Sequence, residues 1–129
     1  GIRILNDSYN ANPASMAAAL RTLAAMPAPR IALLGDMAEL GVEAASQHRS
    51  LGELARQLGI EQLMVTGSHA RDYADGFGDG THTGDAPEAL ADRAWDELGE
   101  TASILVKGSR SAGMDRAVTR LRERNDDAC

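Results

Sequence analysis

Hydrogen-bonding side chains are concentrated in one short stretch of the 129-residue chain, from Asn6 to Ser15. It contains Asp7, Tyr9, Asn10 and Asn12. A carboxylate, a phenol and two amides can bind a polar ligand, although asparagines also serve in turns and helix caps. A simple turn requires neither the Asp nor the Tyr. The stretch is therefore predicted to be a ligand-binding loop, with plain capping as the alternative.

A second polar segment, near the other end of the chain, has the character of an anion site. Lys107 and Arg110 supply two cations, and Ser109 supplies a hydroxyl between them. A guanidinium binds a carboxylate through two parallel hydrogen bonds, and the N–H groups of a following helix start would favour the same charge. The segment is predicted to bind a carboxylate or a phosphate. A solvated basic turn is the alternative.

Acids and imidazoles supply the remaining candidates. Asp36 and Glu39 follow an apolar run and could receive an amine or a ribose hydroxyl, but acids before a helix also simply favour its dipole. His48 is expected early in a helix with a surface or packing role, and a functional role is the weaker interpretation. His69 and His82 are assigned no role.

Several kinds of site lack support in the sequence. The Gly-x-x-x-x-Gly-Lys-Ser/Thr pattern of a general phosphate loop is absent. Gly108 and Gly113 have its glycine spacing, but Met114 follows where the pattern requires Lys. No Cys/His cluster and no calcium-loop spacing occur, so no metal ligand is expected. Trp95 and the methionines are interpreted as packing residues.

Apolar runs alternate with amphipathic segments along the chain. This pattern predicts a three-layer, Rossmann-like α/β fold, whose mostly parallel sheet has about five or six strands and helices on both faces. Ligands in such folds bind beyond the carboxyl ends of the strands. Polar or glycine-rich sequence follows four predicted strands and should lie on one edge of the sheet: Asn6-Asp7, Gly35-Asp36, Gly67-Ser68 and Lys107 to Arg110.

Helix ends are predicted from capping chemistry. Asn12 should cap the first helix, and Ser68 should cap a short helix that runs to about Ala74. Asp85 and Glu88 have the spacing of a capping box. The charged tail from Arg122 is expected to fray.

Composition limits the class of protein and its partners. The length suits a single domain spanning 1–129, and a net charge of -6 with a pI near 4.9 argues against nucleic acid or an anionic membrane as a partner. The only cysteine is Cys129, and no apolar run could span a bilayer, so a cytoplasmic protein without membrane insertion is expected. Gly1 precedes a strand without an initiating Met, which indicates a fragment of a longer protein.

Three motifs together closely resemble the C-terminal domain of the Mur ligase family, in particular the branch that adds D-alanyl-D-alanine to a UDP-muramoyl tripeptide. They occur in the family's order and span nearly the whole chain: Asn6 to Ser15, Leu34 to Gly41 and Leu105 to Ser111. The resemblance implies peptidoglycan synthesis by an ATP-dependent amide-bond ligase, in which ATP phosphorylates the tripeptide carboxylate and the dipeptide amine attacks the acyl phosphate. It also implies a central domain with the phosphate loop and Mg²⁺ ligands, over which the C-terminal domain closes.

The resemblance and the site chemistry together give the expected roles. Nucleotide contacts are expected from Asp7, Tyr9, Asn10 and Asn12. Substrate contacts are expected from Asp36, Glu39, Lys107, Ser109 and Arg110. No catalytic residue is expected in this chain, and without the UDP-substrate and ATPase domains it should be inactive and bind no cofactor. D-Ala-D-Ala, UDP-MurNAc-tripeptide, ATP and Mg²⁺ would act in the intact enzyme, expected to be a monomer.

Other classes of protein remain as alternatives. A receiver domain of two-component signalling has this length and fold, but the third predicted strand ends in Val65-Thr66-Gly67 without a phosphate-accepting Asp. A Rossmann-type nucleotide module lacks its Gly-x-Gly-x-x-Gly loop after the first strand. In a purely structural or interaction domain, none of these candidate residues would bind a nucleotide or a substrate.

Overall fold

Strands and helices alternate throughout the described part of the chain. The structure is a computed structural model that describes residues 1–99 and 101–127, without the side chain of residue 127, so the prediction drawn from Cys129 lies outside it. The strands are β1 (Ile2–Asp7), β2 (Arg30–Leu34), β3 (Gln62–Val65), β4 (Thr81–Thr83) and β5 (Ala102–Lys107). The helices are α1 (Pro13–Ala24), α2 (Ala44–Gln57), α3 (Ala70–Phe77), α4 (Pro87–Glu97) and α5 (Asp115–Asp127).

The strands form one sheet in the order β1-β5-β2-β3-β4, and every neighbouring pair is parallel. The α/β class and the parallel sheet predicted from the sequence are confirmed. The strand order, which the sequence left open, has β5 inserted between β1 and β2. The loops that follow β1, β5 and β2 therefore leave the sheet side by side at one edge.

Side chains of the central strands alternate between two apolar cores. On one face, Leu34 and Leu105 pack with Leu20 of α1 and with residues of α2 and α3. On the other face, Leu33 and Val106 pack with residues of α4 and α5. Because the helices cover both faces, the three-layer architecture is also confirmed.

The first helix begins as the sequence predicts. Asn12 accepts a hydrogen bond from the backbone N–H of Ser15 at 2.9 Å, and the Ser15 hydroxyl accepts one from the backbone N–H of Asn12 at 3.0 Å. This reciprocal pair forms a capping box, with Pro13 in the first turn.

Three other predictions about helix ends are wrong, and two of them concern the starts of α3 and α4. Ser68 does not cap α3, whose N-cap is His69 without a side-chain bond. The expected capping box of Asp85 and Glu88 is also absent, because α4 begins at Pro87 after Ala86. Proline has no backbone N–H, so the first turn of α4 has one fewer donor that needs an acceptor.

The third error concerns the charged tail. It stays helical to residue 127 within α5, because Arg124 pairs with Asp92 of α4 at 2.8 Å and lies over the Trp95 ring. Within the described residues, no helix is long and apolar enough to cross a membrane.

Candidate functional site

Three loops meet at the carboxyl edge of the sheet because of the strand order. Asp7 at the end of β1 lies opposite Lys107 of β5, and Lys107 lies opposite Leu34 of β2. The chain continues from these positions into the β1–α1, β5–α5 and β2–α2 loops. The segments with the richest polar chemistry are thus adjacent in space although they are far apart in sequence.

The three loops enclose a cleft of about 480 Å³, referred to below as the rim cleft. The β1–α1 loop contributes Asn10 to its lining, the β2–α2 loop contributes Glu39, and the β5–α5 loop contributes Arg110. The residues with expected binding roles that line it are Tyr9, Asn10, Asn12, Glu39, Ser109 and Arg110. Ala38 and Ser111 also line it and were not singled out from the sequence, although both fall inside motifs that were. The structure therefore brings six of the nine expected contact residues into one space, whereas Asp7, Asp36 and Lys107 do not line it.

Tyr9 is the most exposed aromatic group of the cleft, with 68% of its surface accessible. Asn10 and Asn12 are also exposed. The Asn12 side-chain oxygen is engaged in capping α1, so its amide group remains the part available to a ligand. The capping and ligand interpretations of this loop are therefore compatible at Asn12.

Lys107 does not present a free charge to the rim cleft. Its side chain is only 1% exposed, and its Nζ donates to Asp7 Oδ2 at 2.5 Å and to the backbone oxygen of Asn10 at 2.8 Å. The parallel register places Lys107 beside Asp7, and the pair ties the β1–α1 loop to β5. Direct substrate contact by Lys107 stays a prediction. Asp7 itself remains 53% exposed.

Asp36 is likewise occupied by the protein itself. Its carboxylate accepts the backbone N–H groups of Ser68 and His69, each at 2.9 Å, and its backbone oxygen accepts the N–H of Ser109 at 2.8 Å. It therefore caps α3 from a neighbouring loop, which is the role predicted for Ser68. Asp36 lines a separate cavity of about 230 Å³ and not the rim cleft, and its direct substrate contact stays a prediction.

Glu39 is held at the rim cleft by an unusual backbone conformation. Its φ of 61° lies in the left-handed region, which costs free energy for a residue with a side chain. Such strain persists only where the surrounding structure fixes the segment. The exposed carboxylate is thereby presented at the cleft wall.

The β5–α5 loop retains anion-binding capacity. Arg110 is exposed, and no ion pair involves it among the residues that the structure describes. Ser109 is buried with its hydroxyl 3.1 Å from that of Ser111. One free guanidinium with two adjacent hydroxyls suits a carboxylate, as the sequence predicts for this segment.

His48 lies beneath the β2–α2 loop and outside the rim cleft. Its ring is fully buried, its Nε2 accepts the backbone N–H of Met37 at 2.9 Å, and its Nδ1 donates to the backbone oxygen of Ala44 at 2.6 Å. Burial lowers the pKa of His48 below its usual value, so the ring is neutral near pH 7. The expectation of a packing residue therefore accounts for His48 better than direct ligand contact.

Side chains that could bind a divalent cation do not cluster in the described part of the chain. Across residues 1–99 and 101–127, no three His, Cys, Asp or Glu side chains converge in the way that metal binding requires. The described residues thus offer no ready site for Mg²⁺, whose ligands the family resemblance implies in a central domain and not in this one.

Fold and site together define a class: a doubly wound α/β domain with a polar, ligand-type cleft at the carboxyl edge of its sheet. Residues 1–110, which include every candidate site residue, match the family described as Mur ligase, glutamate ligase domain. The chain belongs to this family.

Named relatives agree with the family. A UDP-N-acetylmuramoyl-tripeptide--D-alanyl-D-alanine ligase of Escherichia coli K12 is 43% identical over 122 residues, which are 93% of this chain and 27% of that protein. The ligase of the same name from Mycobacterium tuberculosis H37Rv is 35% identical over 157 residues, covering 100% of this chain and 30% of that protein. The chain thus spans less than a third of the length of these relatives.

Solved structures show the same fold. MurF of Thermotoga maritima in complex with ADP superposes with a TM-score of 0.87 at 23% identity, covering 100% of this chain and 30% of that one. MurF of Acinetobacter baumannii gives a TM-score of 0.85 at 26% identity, covering 93% and 27%. These comparisons favour the Mur ligase family over the receiver and general Rossmann-module alternatives.

Proposed function

We propose that this chain is the closing C-terminal domain of an ATP-dependent ligase that joins D-Ala-D-Ala to UDP-MurNAc-tripeptide in peptidoglycan synthesis. The reaction of the whole enzyme would proceed through an acyl phosphate of the tripeptide. The observation that carries the proposal is the rim cleft, which gathers six expected binding residues from three loops. Support also comes from relatives that have this ligase name and from a related structure that contains ADP.

The β1–α1 loop would contact the nucleotide. Tyr9 offers an exposed aromatic face. The amide of Asn10 can donate to adenine ring nitrogens or ribose oxygens and accept from the adenine amino group, and the NH₂ group of Asn12 can donate. The half-exposed carboxylate of Asp7 can accept ribose hydroxyls while Lys107 holds it in position. These residues would orient ATP; in the proposed enzyme the central domain would supply the phosphate loop and the Mg²⁺ ligands.

The β2–α2 and β5–α5 loops would hold the dipeptide. Arg110, with the hydroxyls of Ser109 and Ser111, would bind its carboxylate, and Glu39 would attract its amine. Both ends of a zwitterionic dipeptide would thus meet opposite charges on two walls of one cleft. Lys107 and Asp36 would act indirectly, by positioning these loops.

The remaining expectations belong to the same proposal. The chain is a single domain of a longer, monomeric cytoplasmic enzyme, and it has no catalytic residue of its own. Its contribution to the reaction is to position the substrates when it closes over the ATPase domain.

A chimeric enzyme tests the proposal. This chain would replace the aligned C-terminal part of the E. coli ligase, and phosphate release from ATP would be measured as a function of D-Ala-D-Ala concentration. We expect dipeptide-dependent turnover. Arg110→Ala should raise the KM for the dipeptide about 10- to 100-fold, because a hydrogen-bonded charged contact contributes about 1.5–3 kcal/mol.

Arg122→Ala is the matched control, since Arg122 is an exposed arginine on α5. It should leave the KM for the dipeptide unchanged. A folded chimera without dipeptide-dependent turnover would refute the proposed function. Equal KM values for the two arginine variants would refute the role of Arg110.

A further inference from the structure

The segment 36–40 of the β2–α2 loop, referred to below as the wall segment, forms one side of the rim cleft through Ala38 and Glu39. Both residues are exposed, whereas Met37 before them is buried. Since Glu39 adopts a left-handed backbone conformation, the segment needs fixed contacts to hold its shape. Those contacts come from the protein interior beneath it.

His48 contacts the backbone of Met37, the buried residue next to the exposed wall. Its Nε2 accepts the backbone N–H of Met37 at 2.9 Å, and its Nδ1 lies 2.6 Å from the backbone oxygen of Ala44. One ring nitrogen must accept and the other must donate, so the geometry requires a neutral ring with its proton on Nδ1. Protonation of Nε2 would set two N–H donors against each other and break the contact with Met37.

The groups around the ring favour the neutral state. His69 stacks on it with ring centroids 4.3 Å apart, and Tyr73 of α3 meets it edge-on at 4.9 Å. Burial lowers the pKa of His48 and charge on His69 lowers it further, against the opposing effects of the Ala44 carbonyl and of the Asp36 and Asp72 carboxylates. The acceptor on Nε2 is therefore present at neutral pH.

Packing alone would not require this arrangement. An apolar side chain of similar size could fill the space but would leave the buried N–H of Met37 without a partner, which is costly. A histidine satisfies that donor in only one of its charge states. We infer that His48 is a positioning residue that holds the wall segment of the rim cleft in place and releases it on protonation.

A role of the wall segment in dipeptide binding rests on the proposed function, but the hydrogen bond between Met37 and His48 does not. The test is therefore NMR of the isotope-labelled 129-residue chain without any ligand, so that a failure here would say nothing about ligase chemistry. Ring nitrogen shifts should show the proton on Nδ1 at pH 7.5. On acidification, the amides of Ala38 and Glu39 should shift with the same midpoint as the His48 ring, below 6.5.

Substitutions separate positioning from packing. In His48→Gln, the side-chain oxygen can replace Nε2 as acceptor, so the Met37 amide should stay protected from exchange. The shift of the Ala38 and Glu39 amides that follows the His48 ring in the wild-type chain should then be absent. In His48→Leu, protection of the Met37 amide should fall about tenfold or more. His82→Gln, on β4, is the control and should leave the titration of Ala38 and Glu39 unchanged.

Three results would overturn the inference. They are a proton on Nε2 at pH 7.5, a wall segment in the wild-type chain that does not follow the His48 titration, and full Met37 protection in His48→Leu. Should the Leu variant fail to fold, the wild-type titration and the Gln variant still decide between positioning and packing.

Discussion

The pair formed by Asp7 and Lys107 is unequal in burial, and this inequality determines how each residue contributes to stability. Lys107 is 1% exposed and Asp7 is 53% exposed. An unpaired ammonium inside a protein is costly, whereas a carboxylate at the surface is solvated by water. Loss of Asp7 should therefore destabilise the protein more than loss of Lys107.

This asymmetry gives a prediction for two substitutions. Asp7→Ala should lower the free energy of unfolding by about 2–3 kcal/mol, because it leaves a buried cation with only the Asn10 carbonyl. Lys107→Met should cost about 1 kcal/mol, since the apolar stem is kept and the free carboxylate is hydrated. Urea unfolding at pH 7.5 measures both. Adding Lys107→Met to Asp7→Ala should restore part of the loss; strictly additive losses would contradict the argument.

The residues that line the rim cleft could be predicted from the sequence better than the pairs that these loops form with each other. The motifs gave Tyr9, Glu39 and Arg110 as cleft residues because polar groups after parallel strands share one edge. They could not reveal that Lys107 pairs with a residue 100 positions away, or that Asp36 caps a helix 32 positions on. Those partners depend on strand order and loop path, which local sequence does not encode.

At the scale of elements, α2 and α3 approach so closely that only glycine fits at two contact points. A Cβ on Gly52 would lie 2.2 Å from the backbone oxygen of Tyr73, and one on Gly76 would lie 2.1 Å from that of Arg49. Both obstacles are backbone atoms, which cannot move aside as a flexible side chain could. The same close packing places His69 and Tyr73 against His48 beneath the wall segment.

Alanine at these glycines should therefore be harmful despite its higher helix propensity. The propensity gain is about 1 kcal/mol, whereas forced overpacking costs about 1–3 kcal/mol and requires the helices to separate. We expect Gly52→Ala and Gly76→Ala each to lower the thermal unfolding midpoint. Gly99→Ala is the control, because nothing lies within 4 Å of its added Cβ. Unfolding midpoints equal to the control would show that the interface relaxes easily.

Helix ends show where local sequence suffices and where it fails. The cap of α1 was predictable because Asn12, Pro13 and Ser15 act within four residues of one another. The start of α3 was not, because its donors are satisfied by Asp36 from another loop. The end of α5 was mistaken for a frayed tail because its stabilising partners, Asp92 and Trp95, belong to α4.

For the whole molecule, the strand order decides what the domain can do. Inserting β5 between β1 and β2 brings three loops into one cleft of about 480 Å³, but this cleft lies at the sheet edge and is open to solvent on the side away from the sheet. A tight small-molecule site generally surrounds most of its ligand. The rim cleft is therefore better suited to complete a site with another domain than to form one alone.

The last prediction follows from that geometry. Two or three charged hydrogen bonds contribute about 1.5–3 kcal/mol each, against an association cost of about 4–15 kcal/mol. Titration calorimetry of the isolated chain should therefore detect no micromolar binding of ATP or of D-Ala-D-Ala, and NMR shifts of rim-cleft amides should require millimolar ligand. Any such shift caused by the dipeptide should vanish in Arg110→Ala and persist in Arg122→Ala. Micromolar affinity for either ligand would mean that this domain holds a complete site and does not act by closing over a partner.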